Sequence, residues 1–345
     1  MSNSITVNLK NESGQALYIC VNRADGPWLS LSAATPSWVD TFDQSTCVIE
    51  VPSGTKAAPG LLTWQFLEYA AEGARMYIGE AKFDGIPNLV LYDKIYDKVE
   101  MGWNAIWNLT NVDFFAFPMR IEGNSAKVGY VDGSTRTSLM TAMDGTPAPY
   151  KNLKFPTTGT ALRYFGPGMY YAGDPKILED CFGEAILKGL PELAKFTGTF
   201  DYGGFVMSDI KTTGSNSISL KVNGTPYTMD NITTITAAGN TIVCSPNNAA
   251  GQKAAAVIGA AISRGVLYDP SLWGASGGGN AGYPKKYYQN TPLNGNQWHQ
   301  YSAVLHDNAI DNLAYGSSFD DIFHQDSSIH FDGGDTVSII VMPFS

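Results

Sequence analysis

Short runs in which apolar and polar residues alternate fill the first 145 positions of the chain. Residues 5–9, 16–21 and 46–51 follow this pattern, and turn-forming residues at 11–14 and 52–54 separate them. Alternation with a period of two puts every second side chain on the same face, which is typical of strands with one buried face. Short strands at this spacing predict an antiparallel β-sandwich or barrel.

Helical spacing of apolar residues begins after residue 146. Asp174 and Pro175 are typical of a helix start, with Asp as the N-cap and Pro at the first helical position. Apolar residues then recur on one helical face between 177 and 187, and packing in a core is the interpretation we prefer for them. Further elements are expected as helices over 190–196 and about 249–263, and as strands over 217–222, 227–229 and 232–236.

Strand-like alternation returns from residue 297 and ends in an apolar run over 337–343. The simplest arrangement is a mainly β protein in which residues 1–145 and 296–345 build one β-domain. Residues 146–295 then form a mixed α/β domain that makes the other wall of a cleft. Two domains also suit the length of 345 residues, since single cores stop growing at roughly 250–300 residues.

Composition restricts the class of partner. The formal net charge is −10, so nucleic acid and anionic membrane surfaces are unfavourable partners, whereas a neutral polysaccharide is compatible. No apolar run reaches the length of about 18 residues that a membrane-spanning helix needs, so none is expected. No basic or apolar leader precedes the first strand, so we expect either a removed leader or a protein that stays inside the cell.

Three other kinds of chemistry find little support. The cysteines are scattered, without a C-x-x-C pair, at Cys20, Cys47, Cys181 and Cys244. This spacing argues against structural zinc and against a disulfide scaffold, and the histidines and aspartates near the C-terminus match no metal-binding pattern. Ser276 lies in a G-x-S-x-G pattern, but no strand precedes it and no helix follows it, so we do not expect a nucleophile there.

Two carboxylates in an aromatic stretch are the strongest chemical signal. Glu100 and Asp113 lie within residues 96–115, together with two tryptophans and two consecutive phenylalanines. An ionised carboxylate among buried residues is costly unless it is paired or lies in a solvated cleft. Such groups are candidates for acid–base work, although an acidic residue on a strand can also face water without any function.

Three stretches resemble the motifs of glycoside hydrolase family 64. The first is Tyr96-Asp97-Lys98-Val99-Glu100, and the second is Thr110-Asn111-Val112-Asp113-Phe114-Phe115. The third combines His306 with the run from Ala314-Tyr315 to Asp320-Asp321. The resemblance extends over most of the chain, but no cysteine occurs over 262–267, where the family's disulfide partner of Cys244 would fall.

The resemblance implies a function and a fold. Members of this family are β-1,3-glucanases, including the laminaripentaose-producing type, with a thaumatin-like antiparallel β-domain. The resemblance implies that Glu100 is the general acid and Asp113 the general base of an inverting hydrolysis of β-1,3-glucan, without a cofactor. It also implies an extracellular protein, although the lack of a visible signal peptide leaves a cytoplasmic location open, and we expect a monomer.

Residues near the two carboxylates are candidates for contacts with sugar. Trp103 and Trp107 are suited either to stack on sugar rings or to fill the core. Polar residues that could bind hydroxyl groups, or else serve turns and strand edges, are Asn108, Thr110 and Asn111. The third motif adds residues with either a cleft role or a place in a solvated loop, namely His306, Tyr315, Asp320 and Asp321.

The separation of the carboxylates stays open at this point. An inverting glycosidase needs about 6.5–9.5 Å and a retaining one about 5–5.5 Å. A tight hairpin closed by residues 102–104 would put Asp113 too far up the partner strand, at about 3.3 Å per residue, so a wider loop, a bulge or a different pairing is required. Two rival functions are a non-catalytic β-glucan-binding protein of the same fold and a structural or toxin-like secreted module that binds no glucan.

Overall fold

The computed structural model describes residues 4–32, 36–69, 73–89, 91–168, 181–214, 216–232, 242–274, 287–295, 297–322 and 324–345. The predicted helix start at Asp174 and the motif around Ser276 lie outside these residues, as does most of the predicted strand over 232–236. Strands occupy more of the described residues than helices do, so the protein is mainly β, as predicted.

The described strands are β1 (Ser4–Asn11), β2 (Leu17–Arg23), β3 (Trp28–Ser30), β4 (Ser37–Val39), β5 (Ile49–Val51), β6 (Gly60–Leu67), β7 (Ala74–Gly79), β8 (Tyr96–Met101), β9 (Ala105–Asn108), β10 (Phe114–Phe115), β11 (Met119–Gly123), β12 (Ala126–Gly129), β13 (Lys154–Phe155), β14 (Arg163–Phe165), β15 (Phe200–Tyr202), β16 (Phe205–Thr212), β17 (Ile218–Val222), β18 (Thr225–Asp230), β19 (Val243–Ser245), β20 (Ser328–Phe331) and β21 (Thr336–Val341). The described α-helices are α1 (Gln44–Cys47), α2 (Arg136–Asp144), α3 (Gly183–Leu193), α4 (Ala249–Ser263) and α5 (Gln300–Asp307).

Two β-sheets share one hydrophobic core. One has the strand order β12-β11-β21-β1-β6, and the other has the order β20-β9-β8-β7-β2-β3-β4, with β5 paired to β2. In β1 the alternate residues Ile5, Val7 and Leu9 are fully buried, which is the predicted period of two. Strands from both ends of the chain therefore meet in these sheets, since β1 pairs with β21 and β9 pairs with β20.

A second core surrounds the sheet β15-β16-β17-β18-β19. Helix α3 packs on β16, and α4 packs on β17 and β19. Helix α4 starts where the prediction put it, because the Asn248 side chain accepts a hydrogen bond from the Gly251 N–H at 3.0 Å. The predicted strands over 217–222 and 227–229 are confirmed as β17 and β18.

The segment after residue 297 requires a correction. Predicted as strand-like, it first forms α5, and strands return only at β20. The His299 side chain accepts a hydrogen bond from the Ser302 N–H at 3.0 Å and so caps the helix. Tyr301 and Leu305, one helical turn apart, are buried, and the helix packs on α2. Burial of this i, i+4 pair against another helix explains why the segment is not a strand.

Two smaller predictions also differ from the structure. Of the predicted strand over 46–51, only β5 forms, because the residues before it belong to the short helix α1. Asp43 is the N-cap of α1, and its side chain accepts a hydrogen bond from the Ser45 N–H at 2.9 Å. The predicted separate helix over 190–196 does not exist as such. Instead α3 continues to Leu193 and includes Pro191 in its last turn.

Candidate active site

Glu100 projects from β8 between two neighbouring strands. Its backbone lies opposite Arg75 on β7 and Asn108 on β9. The Nε atom of Arg75 lies 3.4 Å from Glu100 Oε1, and Nδ2 of Asn108 lies 3.5 Å from Oε2. The Glu100 side chain is 31 % exposed, so solvent reaches it. A cation and an amide donor from the adjacent strands thus flank an accessible carboxylate.

Asp113 reaches the same place from a loop. The chain leaves β9 at Asn108 and continues into β10, which pairs with β14 and not with β8. The N–H of Gly166, directly after β14, donates to the Asp113 carbonyl oxygen at 2.7 Å. A Cβ atom at residue 166 would lie 1.8 Å from the carbonyl oxygen of Val112, so this close approach requires glycine. A tight hairpin at residues 102–104 would have put Asp113 too far from Glu100, and this different strand pairing avoids that separation.

Lys98 joins the two carboxylates. Its Nζ atom is in direct contact with Asp113 Oδ2 and lies 3.8 Å from Glu100 Oε1. Because one nitrogen contacts Asp113 Oδ2 and lies 3.8 Å from Glu100 Oε1, these two oxygens are no more than about 6–7 Å apart. This limit lies at the boundary between the separations of retaining and inverting glycosidases. Lys98 belongs to the first motif, but sequence reasoning assigned it no role. The signal was its position two residues before Glu100, since such residues share one face of a strand.

Asp97 lies on the opposite face of β8 and is fully buried. Its Oδ2 atom accepts hydrogen bonds from the N–H groups of Ala116 at 2.7 Å and Phe117 at 3.3 Å, and Oδ1 accepts from the Lys98 N–H at 2.8 Å. Burial raises the pKa of Asp97 from 3.8 to about 7, against the opposing effect of these N–H groups. These hydrogen bonds connect residues 116 and 117, which follow Asp113 in the chain, to the strand β8 that carries Glu100. Sequence reasoning missed Asp97 because bonds from a distant backbone leave no local pattern.

Tyr315 connects the third motif to the site. Thr110 forms a parallel β-bridge with Tyr315, and the Asn111 N–H donates to the Tyr315 carbonyl oxygen at 2.8 Å. Burial raises the pKa of Tyr315, and the charges of Asp321 and, more weakly, Glu100 raise it further. The β-bridge therefore brings the half-buried Tyr315 beside the second motif, and the exposed Asp321 is a neighbour of Tyr315.

Thr110 and Asn111 are buried, at 4 % and 3 % exposure. The Asn111 amide donates to the carbonyl oxygen of Phe114 at 3.2 Å, and its Oδ1 atom accepts from the hydroxyl of Tyr130 at 2.9 Å. Its backbone carbonyl accepts from the Tyr301 hydroxyl at 2.7 Å. These contacts give Asn111 the turn role that the sequence left as the alternative to sugar binding.

His306 and Asp320 form a buried polar network, with 1 % and 0 % exposure. Asp320 Oδ2 accepts from Ser302 Oγ and from the Gly316 N–H, both at 2.9 Å, and His306 Nε2 lies 3.3 Å away. Burial raises the pKa of Asp320, but His306 and Arg264 lower it more, so that it lies well below its usual range. Neither side chain faces solvent, so the predicted substrate contacts of His306 and Asp320 are corrected to a role in holding the loop that follows Tyr315.

The two tryptophans lie in different environments. Trp107 is fully buried, donates its indole N–H to the Gly102 carbonyl at 2.8 Å, and packs edge-on against Phe66 and Phe331 at centroid distances of 5.3 and 5.6 Å. Filling the core is therefore the correct alternative for Trp107, since no face is left for a sugar. Trp103 is half-buried in the turn between β8 and β9 and still presents surface to solvent.

A cleft of about 630 Å³ opens beside Glu100. Arg75, Asn104, Asn108 and His330 supply polar side chains to its wall. Ile106, which is 54 % exposed, adds an apolar surface to the same wall. Amide groups combined with apolar surface suit an uncharged polymer that carries hydroxyl groups.

Other site types find no support in the described residues. No group of three or more His, Cys, Asp or Glu side chains there could hold a metal ion. The four cysteines all fall within the described ranges, and none of them is joined in a disulfide. The search of the same residues for membrane spans finds no helix of sufficient length and hydrophobicity.

Comparison with protein families gives one match that covers the site. The sequence model of glycoside hydrolase family 64, described as β-1,3-glucanase, matches residues 87–341. The matched range includes Glu100, Asp113, Lys98 and the whole third motif. A search of curated protein sequences finds no match.

Solved structures share the fold along the whole chain. A laminaripentaose-producing β-1,3-glucanase in complex with laminaritetraose is 17 % identical, with a TM-score of 0.70 and 100 % of both chains covered. A β-1,3-glucanase domain from Clostridium beijerinckii is 20 % identical, with a TM-score of 0.64 and coverage of 99 % of this chain and 98 % of that one. An enzyme from Paenibacillus barengoltzii, complexed with laminarihexaose, is 16 % identical, with a TM-score of 0.57 and coverage of 99 % and 75 %.

Similarity at these identities establishes the fold, and the sequence match over most of the chain establishes the family. The motifs that carry the resemblance are in contact with one another, since Lys98 contacts Asp113 and Thr110 forms a β-bridge with Tyr315. The chain belongs to glycoside hydrolase family 64, the β-1,3-glucanases.

Proposed function

We propose that this protein cleaves β-1,3-glucan with inversion at the anomeric carbon, using Glu100 as the general acid and Asp113 as the general base. The observation that carries the proposal is the meeting of two partly exposed carboxylates, from separate segments, on either side of Lys98. Hydrolysis of a glycosidic bond requires such a pair, and the family supplies the class of substrate. The step uses no cofactor.

In the proposed step, Asp113 removes a proton from a water molecule while the water oxygen bonds to the anomeric carbon. The bond between that carbon and the glycosidic oxygen breaks, and Glu100 donates a proton to the departing oxygen. Asp113 ends neutral and Glu100 ends anionic, and proton exchange with solvent restores both. The water attacks the face opposite the leaving group, which inverts the configuration.

The glucan chain is proposed to lie in the cleft beside Glu100. Asn104 and Asn108 offer amide groups to sugar hydroxyls, while Ile106 offers apolar surface to the faces of the rings. Trp103 is not among the residues that line this cleft, so its contact with sugar stays a prediction. Two of the solved relatives are described in complex with laminaritetraose and laminarihexaose, which supports a substrate of several sugar units. The second wall from residues 146–295, the extracellular location and the monomeric state stay predictions.

The carboxylates are tested by Glu100→Gln and Asp113→Asn, assayed on laminarin and curdlan. Each change should lower the rate by roughly 10²–10⁴-fold, the usual contribution of general acid–base catalysis, while glucan binding persists because the shapes are conserved. Glu122→Gln is a matched control, since Glu122 is also partly exposed, at 35 %, and has an arginine 3.4 Å away. Asp209→Asn serves the same purpose for Asp113. Wild-type rates in either site variant would remove that residue from the mechanism.

Inversion is tested by the configuration of the first product. The anomeric protons of the product, followed by NMR in the first minutes of the reaction, should show the α-anomer from a β-linked chain. A β-anomer that appears first would mean retention, and one of the two carboxylates would then be a nucleophile.

A further inference from the structure

Lys98 is an unusual residue for its position. Its side chain is 4 % exposed, and lysine is rarely so buried unless its charge is paired. Lys98 and Glu100 project from the same face of β8, and Lys98 there contacts the loop that carries Asp113. The Nζ atom contacts Asp113 Oδ2 and lies 3.8 Å from Glu100 Oε1. One ammonium group therefore serves both carboxylates.

The other groups that face Asp113 leave Lys98 as its main source of positive charge. Tyr77 on β7, Tyr96 on β8 and Tyr301 on α5 all interact with Asp113, and burial raises the pKa of each tyrosine, so that they stay neutral. Arg75 on β7 also acts on Asp113, but its close contact is with the Glu100 carboxylate, at 3.4 Å.

The two oxygens of Asp113 have different surroundings. Lys98 contacts Oδ2, while the described residues offer Oδ1 no hydrogen-bond donor. Holding one oxygen in this way fixes the direction of the other, which is left to accept a proton from water.

The proposed reaction moves one negative charge from Asp113 to Glu100. Before the step Asp113 is ionised and Glu100 is protonated, and after it the reverse holds. An ammonium group placed between them stabilises the anion at either end, so the charge can move without leaving an unpaired carboxylate.

We propose that Lys98 is the positioning residue of this hydrolysis, holding Asp113 ionised and aimed at the attacking water and then stabilising the Glu100 anion. This inference rests on the proposed function. Lys98 does not itself exchange a proton with the substrate or the water.

The test compares the pH dependence of kcat/KM in wild type and in Lys98→Met on soluble laminarin. The acid limb of the profile reports loss of the ionised base, so removal of the ammonium should move that limb to higher pH, by about one pH unit or more. The alkaline limb should also move to higher pH, but by less than the acid limb, because Lys98 lies farther from Glu100 than from Asp113. The value of kcat should fall more than KM rises, since the charge is needed for the step and not for binding.

Three further variants separate this role from a structural one. Lys98→Arg keeps a positive charge and should keep the acid limb near its wild-type position. Arg75→Gln removes a cation whose nearer carboxylate is Glu100, so it should move the alkaline limb to higher pH by more than it moves the acid limb. Lys154→Met removes another lysine paired with an aspartate, at 3.3 Å, and should change neither limb.

The outcomes are distinguishable. An unmoved acid limb in folded Lys98→Met, together with inactive Glu100→Gln and Asp113→Asn, would overturn the role of Lys98 and leave the proposed function standing. Active carboxylate variants would overturn the proposed function itself. If Lys98→Met does not fold, Lys98→Gln is compared with Lys98→Arg, and equal acid limbs in those two would overturn the role of Lys98.

Discussion

Replacement of Asp97 by asparagine should change how the stability of the protein depends on pH. Asp97 is fully buried, and its two oxygens accept three backbone N–H groups, from Lys98, Ala116 and Phe117. The Asp97→Asn substitution would keep the shape of the side chain but not its ability to ionise. The new NH₂ group would also face at least one N–H donor, which should cost about 1–3 kcal/mol at every pH.

The magnitude follows from the raised pKa. In the folded protein the pKa of Asp97 is about 7 instead of 3.8, because burial disfavours the charged form. At about 1.4 kcal/mol per pKa unit, protonation of Asp97 contributes about 4 kcal/mol that is fully present below the unfolded pKa. The folded state then holds a proton that the unfolded state has lost, so this contribution declines between about pH 4 and about pH 7 as the pH rises.

Urea unfolding at a series of pH values measures this difference. The free energy of unfolding of wild type, minus that of Asp97→Asn, should fall by about 4 kcal/mol from about pH 4 to about pH 7. Asp209→Asn is the control, because Lys221 lowers the pKa of Asp209 and its difference should not fall with rising pH. A constant difference for Asp97 would show that it does not titrate in this window. If the difference in the free energy of unfolding instead rose with pH, the N–H groups and Lys98 would lower the pKa of Asp97 by more than burial raises it. That result would refute the reasoning.

Two further predictions concern the two tryptophans and the buried Asp320. Trp107→Ala should lower the free energy of unfolding by about 3–5 kcal/mol without weakening the glucan affinity of the folded fraction. Trp103→Ala should weaken glucan affinity with little change in melting temperature. The reverse pattern in calorimetry and binding assays would contradict both expectations. Asp320→Asn should cost about 3–5 kcal/mol in urea unfolding near neutral pH, because the buried Arg264 guanidinium loses its counter-charge, and a loss below about 1 kcal/mol would contradict the network. Since the pKa of Asp320 is lowered, its contribution is present above the unfolded pKa and is lost only as the pH falls through the folded value.

Local patterns in the sequence were sufficient for some of the strands and for one helix. The period of two in Ser4–Asn11 and the capped run Ala249–Ser263 depend on neighbours only a few residues away, so they can be read directly. The resemblance to glycoside hydrolase family 64 placed Glu100 and Asp113 in one function before their distance was known. The family match confirms that resemblance, while the roles of the two residues stay proposals.

Tertiary structure decided which of these residues are accessible and which lie together. Trp103 and Trp107 look alike in sequence, but the register of β9 against β20 buries Trp107 against Phe331. The helix Gln300–Asp307 forms because it packs on a distant helix, which alternation along the chain cannot show. Asp113 comes beside Lys98 only because β10 pairs with β14 and Gly166 admits a close backbone approach. Contacts between residues far apart in the chain are set by pairing and packing, and this is the physical reason that the sequence alone left the site unassembled.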